Sequence, residues 1–319
     1  MILKPVLRGL LTYVPALERR IAKSTRGTDS ARYCYSVWLR HLVMARVAGL
    51  SDDPRVVAEL GPGDSLGIGL ASLLTGASTY MGLDLVNYTE PGRNLAVLDE
   101  LVALLRARTP IPDATEFPGL KPYLPSYEFP AAILGGERLA KCLAPERVAA
   151  VRRALDRLHD PAGANGSDAV RIVYRAPWND PAVIRRGTID MIFSQAVLEH
   201  VDDLAPTYRA LAAWLKPGGF GSHEVSFYSH QLTREWNGHW TIPDPVWKLI
   251  RGRRPYLLNR EPASTHLRLV RESGLEIVNA VRVAQKSDVT RARLARRFRA
   301  MSEDDLTTQS IFIQAVKPL

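Results

Sequence analysis

Apolar positions along this chain gather into short continuous runs, at about 56–60, 79–85, 171–174, 190–195, 220–227, 275–278 and 311–316. Runs of this length, bounded by glycine, proline or charge, read as strands, and the one at 190–195 as a buried strand. The segments between them have helical spacing. Residues 30 to 50 carry aromatics on one side. Another helix is expected at 94–108. A third spans 145–159, with Pro145 in its first turn, where the missing N–H costs nothing. A fourth ends at Leu211–Leu215, where Pro217-Gly218-Gly219 halts it. The last, 264–273, is expected to start with Ser264 or Thr265 as its cap. Strands alternating with helices predict an α/β fold, a mostly parallel sheet with helices on both faces.

Two segments break the alternation. Residues 1–50 read as an N-terminal helical extension preceding a main domain at 51–319, and residues 109–168 read as an insertion in that domain. Pro110, Pro112, Pro118, Pro122, Pro125 and Pro130 forbid regular structure in the first half of the insertion. Its aromatics Phe117, Tyr123, Tyr127 and Phe129 argue for an ordered cap near a substrate. Residues 1 to 25 alternate apolar and basic, so they either lie on a membrane surface or pack on the main domain.

Composition narrows the class. The apolar fraction of 46% supplies an ordinary globular core. Two cysteines, Cys34 and Cys142, lie far apart without metal-ligand spacing, so a disulfide framework is not expected and a cytoplasmic location fits. No apolar run approaches the roughly 18 residues of a membrane span. Lys and Arg outnumber Asp and Glu by 42 to 33, a net charge of +9. The stretch Arg291 to Arg299 could attract phosphate, or could be a solvated helix anchored by Leu294 and Phe298. No nucleic-acid-binding motif accompanies it, so no nucleic-acid partner is expected.

The chemistry concentrates at strand ends. The first run closes in Glu59-Leu60-Gly61-Pro62-Gly63, and the second in Asp84, 21 residues past Gly63. Strand, glycine turn, helix, strand, acid is the layout of a nucleoside-cofactor site. Gly61 and Gly63 let the backbone turn sharply and approach a ligand, and Asp84 can accept both ribose hydroxyl protons. Further on, Asp190-Met191-Ile192-Phe193-Ser194-Gln195 runs into Ala196-Val197-Leu198-Glu199-His200-Val201. The Leu215-to-Gly219 stop follows.

With these segments in this order, the chain resembles the class I S-adenosylmethionine-dependent methyltransferases over roughly residues 55 to 318. The resemblance implies a Rossmann-like sheet of seven strands with the last antiparallel. It implies S-adenosylmethionine as cofactor, with Glu59 near its methionine end and Asp84 on its ribose. A helix before the first strand covers the cofactor in similar methyltransferases. By strand position, Ser194 and Gln195 join the cofactor set, and Arg32, Tyr33 and Tyr35 of that leading helix are candidates for the methionine carboxylate, the two tyrosines being equally readable as packing residues. The acid that many relatives place after the third strand is absent from Arg175-Ala176-Pro177-Trp178-Asn179-Asp180, and stacking on Trp178 is an alternative for adenine.

A hydroxyl acceptor needs a base, and His200 and His230, just past the fourth and fifth strands, are the catalytic candidates. Trp236, Asn237, His239 and Trp240 could stack on and hydrogen-bond a polar ring. No paired carboxylates accompany Ser194, so no metal is expected. The expected activity is methyl transfer, at oxygen, to a small polar or glycan acceptor in polysaccharide or secondary-metabolite synthesis. The competing reading is a non-catalytic cofactor-binding scaffold or regulator.

Overall fold

In a computed structural model, which describes residues 3–13, 28–87, 90–159, 169–178, 180–254 and 256–319, the seven apolar runs form one sheet. The strands are β1 (Val56–Leu60), β2 (Thr79–Leu83), β3 (Arg171–Arg175), β4 (Ile189–Gln195), β5 (Leu215–Ser226), β6 (Glu276–Ala284) and β7 (Thr308–Val316). Their order is β3-β2-β1-β4-β5-β7-β6. β1 to β5 pair in parallel, and β7 inserts antiparallel between β5 and β6. The order reverses at β1, so β1 and β4 flank a switch point, and ligands of such sheets bind beyond the carboxyl ends there. The register aligns those ends: Leu60 faces Leu83 and Ser194, and Gln195 faces Glu224.

The helices are α1 (Leu3–Leu10), α2 (Ala31–Val47), α3 (Gly67–Leu73), α4 (Pro91–Arg106), α5 (Gly136–Cys142), α6 (Pro145–Asp156), α7 (Leu204–Trp214), α8 (Asp244–Arg251), α9 (Ala263–Glu272) and α10 (Glu303–Thr307). One sheet face is covered by α2, α3, α4 and α6 around Trp38, Tyr80, Leu98, Leu101 and Phe193. The other is covered by α7 and α9 around Ile192, Tyr208, Trp214 and Leu267. Cys34 and Cys142 are both free and buried.

Helix α2 begins where Ser30 accepts the Tyr33 N–H at 3.3 Å, and it is the anchor of the insertion. Its Arg40 is fully buried. The guanidinium donates to the carbonyls of Pro112 (2.9 Å) and Pro122 (2.6 Å) and lies over the Tyr127 ring at 4.9 Å. A proline-rich segment cannot pair its own carbonyls in regular structure, and one buried arginine supplies the missing donors. The segment from Ala107 to Gly135 is therefore ordered without helix or strand.

Three local expectations are corrected. The chain passes through Pro217-Gly218-Gly219 already within β5, which starts at Leu215. Helix α9 takes no cap from Ser264; that residue's N–H and hydroxyl both donate to Asp305, a cap from another element. Residues 291–299 form two separate 3-10 turns, not a helix, although Leu294 and Phe298 are buried as anchors. Three of their five arginines are engaged: Arg291 pairs with Glu303, Arg293 with Glu235 and Arg297 with Glu261. Of the expected N-terminal helices, α1 and a short 3-10 turn are seen; residues 14–27 lie outside the described residues, as does Asn179.

Candidate active site

The carboxyl ends of β1 and β2 build the first half of the site. Gly61 (φ +67°) and Gly63 (φ +74°) both occupy left-handed backbone that glycine alone adopts freely. A Cβ on Gly61 would stand 2.6 Å from a Val197 methyl. Asp84 turns its carboxylate back into this loop. It accepts the Gly63 N–H at 3.3 Å and its neighbour Leu85 N–H at 2.8 Å. Burial outweighs those bonds and pushes its pKa from 3.8 up to about 6. Glu59, deeper in β1, accepts the Tyr80 hydroxyl at 2.6 Å, and burial raises it to about 8. A buried carboxylate at the second strand tip, beside a glycine cradle that a side chain would fill, fits the ribose of a nucleoside cofactor. Asn94 steadies the loop by accepting the Leu66 N–H at 2.8 Å.

Beyond the ends of β4, β5 and β7 lies a cleft of about 340 Å³, within the range of small-molecule sites. Tyr33, Phe117 and Tyr228 give it aromatic walls; Lys121, Gln195, Glu224, His230 and Gln309 give it polar groups. The stretch Glu116–Lys121 places the first part of the insertion directly on this cleft. The floor is a continuous polar network. His41 meets Ser222 at 2.8 Å and Gln195 at 3.2 Å, and Gln195 donates to the Lys121 carbonyl (3.1 Å) and the Glu224 carboxyl (3.4 Å). Burial lifts Glu224 to about 8, with nearby Lys121 acting in the opposite direction.

Several residues expected in the site stand elsewhere. Ser194 is fully buried, and its hydroxyl is bonded to His223 Nδ1 at 2.9 Å, so it faces the sheet's interior layer. Tyr35 is fully buried and donates to the Thr109 carbonyl at 2.5 Å; it holds the start of the insertion. Arg32 is committed to Glu116 in a two-pronged pair, both bonds at 2.6 Å. Trp178 packs edge-on against Trp214 in the core.

The proposed acceptor group of Trp236, Asn237, His239 and Trp240 is core throughout. Trp236 donates to the Lys286 carbonyl, Trp240 to the Arg260 carbonyl, and Asn237 to Ser287 and the Leu306 carbonyl. The His239 ring lies against Trp240, with centroids 4.7 Å apart. The physical reason is common to all four: the loop folds inward against Arg260, Lys286, Ser287, Ala295 and Leu306, so its rings bury apolar area rather than meet a ligand.

Glu59, Gly61, Gly63, Asp84 and Gln195 do assemble at the strand ends, and His200 and His230 come together with ring centroids 5.0 Å apart. Of that pair, only His230 lines the cleft. Glu224, Lys121 and Tyr228 escape a reading of the sequence. A signal existed for Glu224: an acid inside the otherwise apolar run of β5, close to its carboxyl end. No metal was expected, yet Glu199, His200 and His230 bring potential ligand atoms within 4.8 Å of one another.

A family model described as "Methyltransferase domain" matches residues 143–221, from α6 through β3, β4 and α7 into β5. No curated protein matches the sequence. Among solved structures, an S-adenosylmethionine-dependent methyltransferase from Mesorhizobium loti is similar at 16% identity and a TM-score of 0.39. The match covers 83% of this chain and 91% of that one. Phosphoethanolamine N-methyltransferase 2 of Haemonchus contortus, in complex with S-adenosyl-L-methionine, is 14% identical with a TM-score of 0.43, over 88% of this chain and 53% of that one. A methyltransferase from Methanosarcina mazei is 13% identical with a TM-score of 0.42, over 85% and 95%. The methyltransferase-domain match covers the part of the chain that supplies β3, β4 and the start of β5, within a sheet ordered β3-β2-β1-β4-β5-β7-β6.

Proposed function

We propose that the protein transfers the methyl group of S-adenosylmethionine to an oxygen of a small polar acceptor, a sugar or glycosylated intermediate, held in the cleft beyond β4, β5 and β7. The observation that carries this reading is the composition of that cleft. Aromatic walls suit the faces of a ring, and Lys121, Gln195, Glu224, His230 and Gln309 suit its hydroxyls. Gly61, Gly63 and Asp84 would hold the cofactor's nucleoside, and Glu59 would serve the methionine side. The cofactor supplies an electrophilic methyl. In the displacement the sulfur–methyl bond breaks as the oxygen–methyl bond forms, and the hydroxyl proton leaves to a base. Glu224 and His230 are the proton acceptors within the cleft, and His200 supports His230 from behind.

Labelled S-adenosylmethionine incubated with host extract and the protein tests this reading. The expected label is on a glycan or small metabolite, identified by mass spectrometry. A labelled nucleic acid or protein would overturn it. The alternative of a non-catalytic scaffold requires cofactor binding with no labelled product at all.

The reading includes contact with an anionic membrane surface. Helix α1 packs on α8 and leaves Leu3, Leu7 and Leu10 exposed beside Leu11, Tyr13 and Leu249, flanked by Lys4, Arg8 and Lys248. Apolar groups ringed by cations suit an acidic bilayer. Among the described residues no helix is long and apolar enough to cross a membrane. Co-sedimentation with phosphatidylserine vesicles should occur at low salt and fall in Leu3→Asp/Leu7→Asp; equal binding by both proteins would refute the surface.

A further inference from the structure

The structure assigns a divalent transition-metal site to Glu199, His200 and His230, at the rim of the cleft; with the ion bound His230 is a ligand and not a proton acceptor, and the inference does not depend on which acceptor is methylated. The three side chains offer two imidazole nitrogens and one carboxylate, with the candidate ligand atoms within 4.8 Å of one another. Glu199 is only 2% exposed, and among the described residues neither of its carboxylate oxygens has a partner at full hydrogen-bond geometry, the backbone N–H groups of Glu199 and Ser226 being the nearest donors; the buried Nδ1 of His200 has no partner there either. Buried polar groups are almost always paired, and an unpaired carboxylate is the costliest exception. A cation between these groups would satisfy them together.

The surrounding chain holds two of the ligands in place. Glu199 and His200 lie on a 3-10 turn, Leu198–His200. Asn259 clamps that turn from outside: its amide donates to the carbonyls of Leu198 and Val201, each at 2.8 Å, and its own N–H donates to the Glu199 carbonyl at 2.7 Å. Outer-shell bonds of this kind orient metal ligands. The third ligand comes from a strained loop. His230 (φ +46°) and Gln231 (φ +63°) are successive non-glycine residues in left-handed backbone, a conformation retained where function or packing demands it. His230 is exposed. Ligand atoms on a tetrahedral zinc ion stand roughly 3.3 Å apart, given bonds of about 2.0–2.1 Å, so a small movement of this ring, already edge-on to His200 with centroids 5.0 Å apart, closes the site.

The donor set selects the ion. Imidazole with carboxylate suits zinc and its first-row neighbours, whereas magnesium and calcium prefer oxygen alone. Three protein ligands leave at least one position open. Because His230 is also a wall of the cleft, that position faces the acceptor. An acceptor hydroxyl bound there would be a stronger acid than in water, and its proton would pass to the Glu224 carboxylate or to solvent.

Tag-free protein stripped with a chelator and titrated with Zn²⁺ in competition with a chromophoric chelator, with zinc counted by mass spectrometry after desalting, tests the site. One equivalent is expected in the wild type. His230→Ala and Glu199→Gln should each weaken zinc at least tenfold. Substitution by Co²⁺ should give a visible ligand-field spectrum that His230→Ala abolishes. Since Glu199 is buried and its variant could misfold, His230→Ala, a change at an exposed ring, carries the test with circular dichroism as the fold control. Failure to retain stoichiometric zinc, equal retention by the wild type and His230→Ala, or equal affinity for Mg²⁺ would overturn the assignment. Calorimetric binding of S-adenosylmethionine to the stripped wild type separates failure of the metal site from failure of the methyltransferase reading.

Discussion

Asp84 carries opposite consequences for folding and for cofactor binding, and Asp84→Asn should expose both. Asp84 is 8% exposed, and its carboxylate receives backbone N–H bonds from Gly63 and Leu85, with the Val86 N–H also nearby. Its pKa rises from 3.8 to about 6 with burial as the main cause, which corresponds to about 3 kcal/mol of instability when the group is ionised. The sign follows from linkage. An acid whose folded pKa is raised destabilises nothing below its unfolded pKa; the cost grows as pH rises from about 4 to 6 and is complete above. Replacing it by the neutral amide should therefore stabilise the unliganded protein at pH 7.5. The net gain should be about 1–2 kcal/mol, because the amide NH₂ opposes the Gly63 N–H and forfeits part of the benefit. At pH 4 the two proteins should be nearly equal.

Cofactor binding should move the other way. Ribose hydroxyls donate to an ionised carboxylate, and losing one charge-assisted bond costs roughly 1.5–3 kcal/mol, a loss of about tenfold or more in affinity. Wild-type affinity should itself decline as pH falls through about 6, and that of the variant should not. Urea unfolding at pH 4 and 7.5, paired with calorimetric titration of S-adenosylmethionine, reads both effects. A variant that is less stable at pH 7.5, or that binds the cofactor as tightly as the wild type, would refute the assignment of Asp84 as a buried carboxylate kept for the ribose.

Gly61→Ala should destabilise by about 2–5 kcal/mol in urea unfolding, since its φ of +67° is strained for alanine and the new methyl meets Val197; an unchanged midpoint would contradict the geometry of the loop. Trp240→Ala should cost about 3–5 kcal/mol as a core cavity, whereas Tyr228→Ala, at a half-exposed cleft wall, should stay within about 0.5 kcal/mol of wild type and raise the acceptor KM. The reverse pattern would return the acceptor to the tryptophan loop. Arg32→Ala should lose under about 1 kcal/mol of stability, as exposed pairs do, and leave cofactor affinity unchanged by calorimetry; a large affinity loss would restore Arg32 to the cofactor site.

The sequence by itself determined the sheet and the strand-end cluster of Glu59, Gly61, Gly63 and Asp84 proposed for the cofactor. Buried parallel strands must be continuous apolar runs, and the glycines and acids that end β1 and β2 lie within a few residues of those runs. Gly61, Gly63 and Asp84 are adjacent because a strand–turn–helix–strand unit is local, so spacing along the chain is spacing in space. Only the tertiary structure decided the acceptor half. Tyr33 of α2, Lys121 of the insertion, Glu224 of β5 and Gln309 of β7 meet through contacts between segments far apart in the sequence, which no local pattern encodes. The same holds for Trp236 to Trp240, whose composition suits a ligand and a core equally; burial alone separates the two. Arg40 shows the limit from the other side: nothing in its helix marks it as the buried donor that orders a proline-rich segment some eighty residues away. The need for that donor arises only when those carbonyls are taken out of water.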